Sequence, residues 1–531
     1  MCIRDRRKKM EKLPVEKTAQ KVSLKNKLAF ACGDIFGGGS FNIINFLFVP
    51  FLTLTVGIPM YWVSVIMLIS KVWDGIIDPF IGKISDGKQP GRFGKRRFFM
   101  LVCAPILIVA TILLFFPWNL VTTSVPLKIV LVIIVYLIYA TTQSFILIPY
   151  YSLGSEMSGD FIERTKVNSV RLGFSIFSSI VCVAVPGMIA APEKGAQSYI
   201  VMAAIFGGIF CISVLITALF AREQIVSPAV KTKVNFREFF RPLKIKSYRQ
   251  YLGMQMCSSM GMAIMSSFFF TLMDFWIRRG SYAANLQFDV PRFPIATVAA
   301  AIMFVAQIFA LPFYFWLIKR KSKTFAYRLG AIVWAVTACA LFFLPAQSYT
   351  LDATGALEIV SQVPDWVICV LAFVIGIGIG GPVLVPHTAF GDVCDVGELY
   401  FNERTEGAFS GLSNFLNTTA QAVGLAIPPI IIGAAGYLET VYEAPADLSG
   451  YFVKPYDNGT AYMPVAQSDS AMLAVRIVIA FLPIVVMAIG FFISLRYKVT
   501  REKQNEIAET LKLDKNSEEY KSKREEILKS L

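Results

Sequence analysis

The strongest constraint in this chain is the recurrence, from end to end, of apolar runs of about twenty residues, each long enough to cross roughly 30 Å of hydrocarbon. Backbone groups in lipid must be satisfied within the protein. The runs lack the alternation of barrel strands, so they read as helices. Twelve spans are predicted, at about 28–56, 60–85, 98–118, 126–155, 166–190, 199–221, 250–277, 294–318, 325–345, 366–392, 406–437 and 471–496. Composition agrees: 55% of the 531 residues are hydrophobic and 16% are charged, against about a quarter in soluble proteins. The first apolar run is full length and follows no small-residue cleavage site, so no cleavable signal peptide is expected.

The net charge of +15 invites a nucleic-acid partner, but its distribution speaks against one. Lys and Arg crowd the N-terminal arm, the 86–97 and 222–249 loops, "KRKSK" at 319–323 and the tail. The alternate connections are nearly bare, apart from Arg278, Arg279 and Arg292. This is the positive-inside pattern, and it predicts cytoplasmic termini and an even number of spans. The nine Cys fall mostly within spans, without metal-ligand spacing. The single His, His387, cannot form a metal site alone, and a satisfied interhelical role is expected for it ahead of a proton relay.

The charged break at 222–249 leaves six spans on either side, and a weak repeat supports the division. "PYYSLGSEMSGDFIERT" (149–165) and "PHTAFGDVCDVGELYFNERT" (386–405) follow spans four and ten and end alike. Two parallel six-helix halves are the layout of major-facilitator transporters. The expected organisation is a basic cytoplasmic arm (1–27), an N-terminal half (28–221), a central loop (222–249), a C-terminal half (250–497) and a charged tail (498–531). The tail reads as a helical, solvated extension. The long, net acidic segment 438–470 suggests no role.

One stretch carries the chemistry: "KVWDGIIDPFIGKISDGKQPGRFGKRR", Lys71 to Arg97. Asp74 and Asp78 lie one helical turn apart on one face of span two. A carboxylate at that depth costs at least about 2.5–3.5 kcal/mol and needs a partner. Two so close repel each other unless a cation sits between them. The pair is a site for Na⁺ or H⁺, or else part of a buried ion pair with Lys71 at i−3. Pro79 frees a carbonyl one turn back as a further ligand. At the end of the span, Asp86, Arg92 and Lys95 form a polar loop suited either to solvent or to a gate of ion pairs. Glu156 with Arg164, and Asp392 with Arg404, hold corresponding positions after spans four and ten. On span one, Asp34, Gly38, Asn42 and Asn45 share a face, as do Asn414, Asn417, Thr418 and Gln421 on span eleven. Each is either packing glue or a substrate contact.

The span-two stretch closely resembles the signature of the glycoside–pentoside–hexuronide:cation symporters, the melibiose-permease-like branch of the major facilitators. "AFACGDIFGGG" (29–39), "ILIPYYSLGSEM" (146–157) and "FGDVCDVGELYFNERTEGAFSG" (390–411) resemble other motifs of that family. The resemblance implies an all-α membrane protein with twelve helices in two pseudo-symmetric halves, working by alternating access. It implies cation binding at Asp74 and Asp78, and substrate contacts at Lys71, Tyr151 and Arg171. With Asp34, Asn42, Asn414 and Thr418, these make the expected substrate set. The chain departs from the family at Ile77, Leu147, Gly38 and Thr418, where neighbouring ligands or sugar contacts are usual. The expected activity is H⁺- or Na⁺-coupled uptake of a sugar, glycoside or hexuronide, with a lysolipid or other amphiphile as the alternative cargo. No enzyme activity, cofactor or nucleic-acid partner is expected. The expected setting is a monomer in a bacterial inner membrane.

Overall fold

The computed structural model describes residues 22–530, except 90, 92, 158–160, 191–194, 222–239, 278–294, 347, 352–356, 361–362, 403–405, 448–450, 457–458, 465–466, 512 and 516. Eleven described helices are long and apolar enough to cross a membrane. They are spans two to twelve: Met60–Gly87, Arg97–Leu114, Val125–Glu156, Phe161–Ile189, Gln197–Phe220, Lys246–Phe275, Ile295–Arg320, Lys323–Phe342, Asp365–Phe401, Glu406–Ala434 and Asp469–Arg496. Span one differs from the single helix expected over 28–56. It runs as two α-segments, Leu24–Cys32 and Asp34–Ile43, followed by π-helical turns at Ile44–Phe48 and Phe51–Val56. Pro50 lies between the π-turns and offers no N–H to the ladder, which favours a local change of pitch.

The packing is two-fold repeated. In the N-terminal half span one lies against five and six, three against four and six, and two against four. In the C-terminal half seven lies against eleven and twelve, nine against ten and twelve, and eight against ten. Each of these pairs recurs six spans on. The halves meet through spans two and eleven and through five and eight, which are again equivalent pairs. Small residues allow the closest approaches. A Cβ on Gly38 would fall 2.9 Å from the Ser175 carbonyl of span five, and one on Gly378 2.6 Å from the Trp334 backbone nitrogen of span nine.

Alternation of twelve spans puts both termini on one face, called here the terminal face. At the far face, the segment after span eleven straps the halves together. Met60 N donates to Glu439 at 2.8 Å, Thr440 N donates to the Thr53 carbonyl at 3.3 Å, and the Tyr442 hydroxyl donates to the Thr55 carbonyl. The same segment continues into a hairpin, β3 (Tyr451–Tyr456) with β4 (Gly459–Pro464), pinned back by Val441–Tyr462 pairing. An earlier hairpin, β1 (Ser348–Leu351) with β2 (Leu357–Val360), joins spans nine and ten. Beneath the strap, Phe46 of span one meets Phe270 and Phe304 of the other half edge-on. The hydrophobic core is thereby continuous across the halves at this end.

The tail is docked, not simply solvated. Its helices Arg501–Thr510 and Glu518–Ser530 bury Ile507, Tyr520 and Ile527. Arg524 donates to the Leu399 and Tyr400 carbonyls at the end of span ten, which is where a helix leaves carbonyls unsatisfied.

Candidate functional site

On span two, the Lys71 ammonium donates to Asp74 at 3.0 Å, with both side chains nearly buried. Asp78, one turn on, accepts a 2.6 Å hydrogen bond from the Ser144 hydroxyl of span four. The three charged groups sum to one negative charge. Asp74 has a cation, and Asp78 has only a hydroxyl among the described residues. Of the two sequence readings, the ion pair with Lys71 is present at Asp74, while Asp78 retains the open acceptor positions a proton or Na⁺ needs. Trp73 anchors this helix to span four through Thr141 at 2.9 Å, and Lys71 lies 5.5 Å from the Phe41 ring of span one. Leu147 fills the position near Ser144 with partly buried apolar surface. Ser144 itself was missed. It lies one turn before Leu147 and two before Tyr151 on the face of span four that points at span two.

A second cluster joins spans one, four and five. Arg171 approaches buried Asp34 at 3.9 Å and lies over the Tyr151 ring at 5.3 Å. That ion pair is long, and the Arg171 Nε is buried without an acceptor. The guanidinium thus has donors to spare. The Gly37–Gly39 run places Asp34 here, because it lets span one press onto Ser175 and Ser178 of span five. Asn42, expected to touch substrate, donates to the Gly38 carbonyl at 2.8 Å within its own helix.

Two cavities adjoin between the halves. The smaller, about 210 Å³, is bounded by Phe41 and Asn45 of span one, Gln255 and Ser259 of seven, His387 of ten, and Asn417 and Gln421 of eleven. Asn45 is 3% exposed and its side-chain oxygen has no partner. The larger, about 620 Å³, lies between spans five, eight and ten, and combines Arg171, Gln307 and His387 with apolar walls at Phe304, Ile308 and Leu311. Leu172 and Phe315, which line it, are 49% and 45% exposed on the seam of spans five and eight. Further along the same seam a wholly apolar recess of about 440 Å³ is lined by Met188, Val298, Ile302 and Phe373.

Two expectations are corrected here. His387 is not a packed interhelical residue: it is exposed and borders both cavities. Asn414 and Thr418 do not line the cavities, whereas Asn417 and Gln421 on the same helix do. The polar face is wide. Its 417/421 edge turns to span seven, where Ser259 donates to Asn417, and its 415 edge turns to Gly75 of span two. Gln255, Ser259, Gln307 and Asn168 were missed, since lone polar residues in apolar spans carry no pattern.

Among the described residues, the terminal-face pairs Glu163–Lys27, Glu163–Lys166 and Asp392–Lys323 each lie within one half. Asp392 is bound by Lys323 of span nine and Gln504 of the tail. Lys95 is buried. Arg92 and Arg404 lie outside the described residues, as do the side chains of Asp86, Glu156 and Arg164. In the N-terminal half, Glu163 bridges Lys166 at 2.8 Å and Lys27 at 2.7 Å. Hydrogen bonds from these two ammonium groups pull its carboxyl down to about 2.

Two parallel six-helix bundles, with polar cavities at their interface and one face strapped shut, define a secondary transporter of the major-facilitator class, not an enzyme. The chain belongs to the MFS/sugar transport protein family, whose model matches residues 29–501. It is similar to the "Uncharacterized symporter YjmB" of Bacillus subtilis (strain 168), with 23% identity over 93% of this chain and 96% of that one. It is 22% identical to the "Glucuronide carrier protein homolog" of Escherichia coli (strain K12), over 81% and 88%. It is 21% identical to the "Sodium-dependent lysophosphatidylcholine symporter 1-A" of Danio rerio, over 97% and 94%. Among solved structures, the nucleoside transporter NupG matches with a TM-score of 0.55 at 12% identity, covering 90% of this chain and 100% of that one. A bacterial homologue of the lysosomal transporter Spinster matches with 0.56 at 12%, covering 89% and 95%. These two likenesses speak to the fold. The protein is a multi-pass integral membrane transporter.

Proposed function

We propose that this transporter is a symporter that couples H⁺ or Na⁺ to uptake of a sugar, glycoside or hexuronide. The observation that carries the reading is Asp78, a carboxylate within a span whose partner is a hydroxyl, one turn from a neutralised Lys71–Asp74 pair. A lone charge there is costly while the halves rock, and a bound cation removes that cost. Binding the cation at Asp78 organises span two beside Phe41 and the small cavity. Substrate and cation then strengthen each other by equal factors. The relative named a glucuronide carrier supports a hexuronide cargo, with Arg171 to meet its carboxylate. The distribution of Lys and Arg supports cytoplasmic termini, and the proposed location is a bacterial inner membrane.

A second reading, transport of a lysolipid or similar amphiphile, is favoured by one observation. The seam of spans five and eight holds an apolar recess and a cleft lined by the exposed apolar residues Leu172 and Phe315. A relative named a lysophosphatidylcholine symporter supports it. Purified protein in proteoliposomes, loaded with pH and Na⁺ probes, separates the two. A glycoside- or glucuronide-triggered cation signal is the expected result. A signal from lysophosphatidylcholine alone moves the cargo to lipid. Sugar exchange with no cation signal refutes symport.

A further inference from the structure

We propose that the two adjoining cavities are one bipartite site. The small one seats a neutral, hydroxyl-bearing ring, and the cleft seats the apolar body of the same molecule with an anionic group toward Arg171. This rests on the transport reading above and narrows its cargo to an amphiphilic anionic glycoside.

The small cavity is built for hydroxyls. The buried Asn45 oxygen that borders it has no donor. A buried acceptor left unsatisfied is costly, and a ligand hydroxyl removes that cost. Asn417 and Gln255 already accept from Ser259 and Ser413 through their oxygens, which leaves their N–H groups as donors. Among the described residues, no Asp, Glu, Lys or Arg lines this cavity, so none of them compensates a charged group there. Its volume of about 210 Å³ lies below the usual range for a drug-sized ligand, which limits it to a single small ring.

The cleft has the opposite character. Its roughly 620 Å³ are walled by Phe304, Ile308 and Leu311, and its cation is Arg171, whose spare donors suit a carboxylate or phosphate. His387 and Val383 border both spaces, so one molecule can occupy the two together.

The test is calorimetric binding to full-length protein in nanodiscs, with methyl β-D-glucopyranoside and 4-carboxyphenyl β-D-glucopyranoside as probes. The carboxyaryl glucoside, whose charge sits on the apolar body, is expected to bind at least about tenfold more tightly. Ile308→Trp, which fills the cleft, is expected to abolish that advantage and spare the methyl glucoside. Asn45→Leu is expected to weaken both probes about tenfold. Gln421→Leu, at a less buried position, is expected to act in the same direction and covers a folding failure of the first variant. Equal binding of the two probes overturns the bipartite site, as does binding unmoved by both polar-cavity variants. Failure of wild type to bind either glucoside overturns the glycoside reading and this site together.

Discussion

Around the cavities, the two halves repeat each other in packing and differ in chemistry. The N-terminal half supplies the charges: Asp34, Lys71, Asp74, Asp78 and Arg171. The C-terminal half supplies the neutral amides Gln255, Gln307, Asn417 and Gln421, with His387. One scaffold has thus separated two tasks. The half with charges holds the groups that the proposed cation would meet, while the half with amides presents neutral donors and acceptors. The terminal face divides differently, since the C-terminal half alone is braced by the docked tail among the described residues.

The most damaging way to break this division is Asp78→Asn. Gradient-driven accumulation in proteoliposomes should be lost, while substrate exchange without a gradient persists. Retained accumulation would mean that the charged half does not couple. Arg171→Ala should weaken an anionic probe about tenfold to a hundredfold, because hydrogen bonds to charged groups contribute about 1.5–3 kcal/mol each. A neutral glycoside should be little affected. Equal losses for both would show that Arg171 serves structure.

A smaller effect tests the tail. Ile507 is fully buried, and truncating such a residue costs about 2–5 kcal/mol. Ile507→Ala should therefore raise tryptic cleavage at Lys515 by about tenfold or more. An unchanged rate would argue against docking. The smallest effect is a pH dependence at the N-terminal junction. The Glu163 carboxyl is held at about 2, below its ordinary 4.5, so its stabilisation is complete above about 4.5 and fades as the pH falls toward 2. The difference in thermal midpoint between wild type and Glu163→Gln should shrink between pH 6 and pH 3. A constant difference would place the effect in packing.

The fold was legible because hydrocarbon imposes length and apolarity on every span, and spans two to twelve lie close to their expected limits, except that span ten, expected to end at 392, runs on to Phe401. Span one was legible in position but not in pitch, since a π-turn leaves no mark in hydropathy. Within the site, Asp78 stood out because a carboxylate in an apolar run is rare. Ser144 did not, because a hydroxyl within a helix can satisfy itself on its own backbone. The segment 438–470 was opaque for another reason: its contacts with Thr53, Thr55 and Met60 exist only once two distant parts of the chain meet. The tail misled because its many charges hide three buried apolar anchors.

The strap at the far face has a consequence for resting populations. Three hydrogen bonds cross between the halves there, each contributing about 0.5–1.5 kcal/mol net, or about 1.5–4.5 kcal/mol in sum. At about 1.4 kcal/mol per factor of ten, conformers with that face open are rarer by about one to three orders of magnitude for this reason alone. Cargo approaching from the far side then meets an apparent dissociation constant raised by the same factor. An ion that prefers the open conformer recovers the difference. A hydrogen-bonded strap of a few residues thereby sets how much ligand on the far side is needed to open that face.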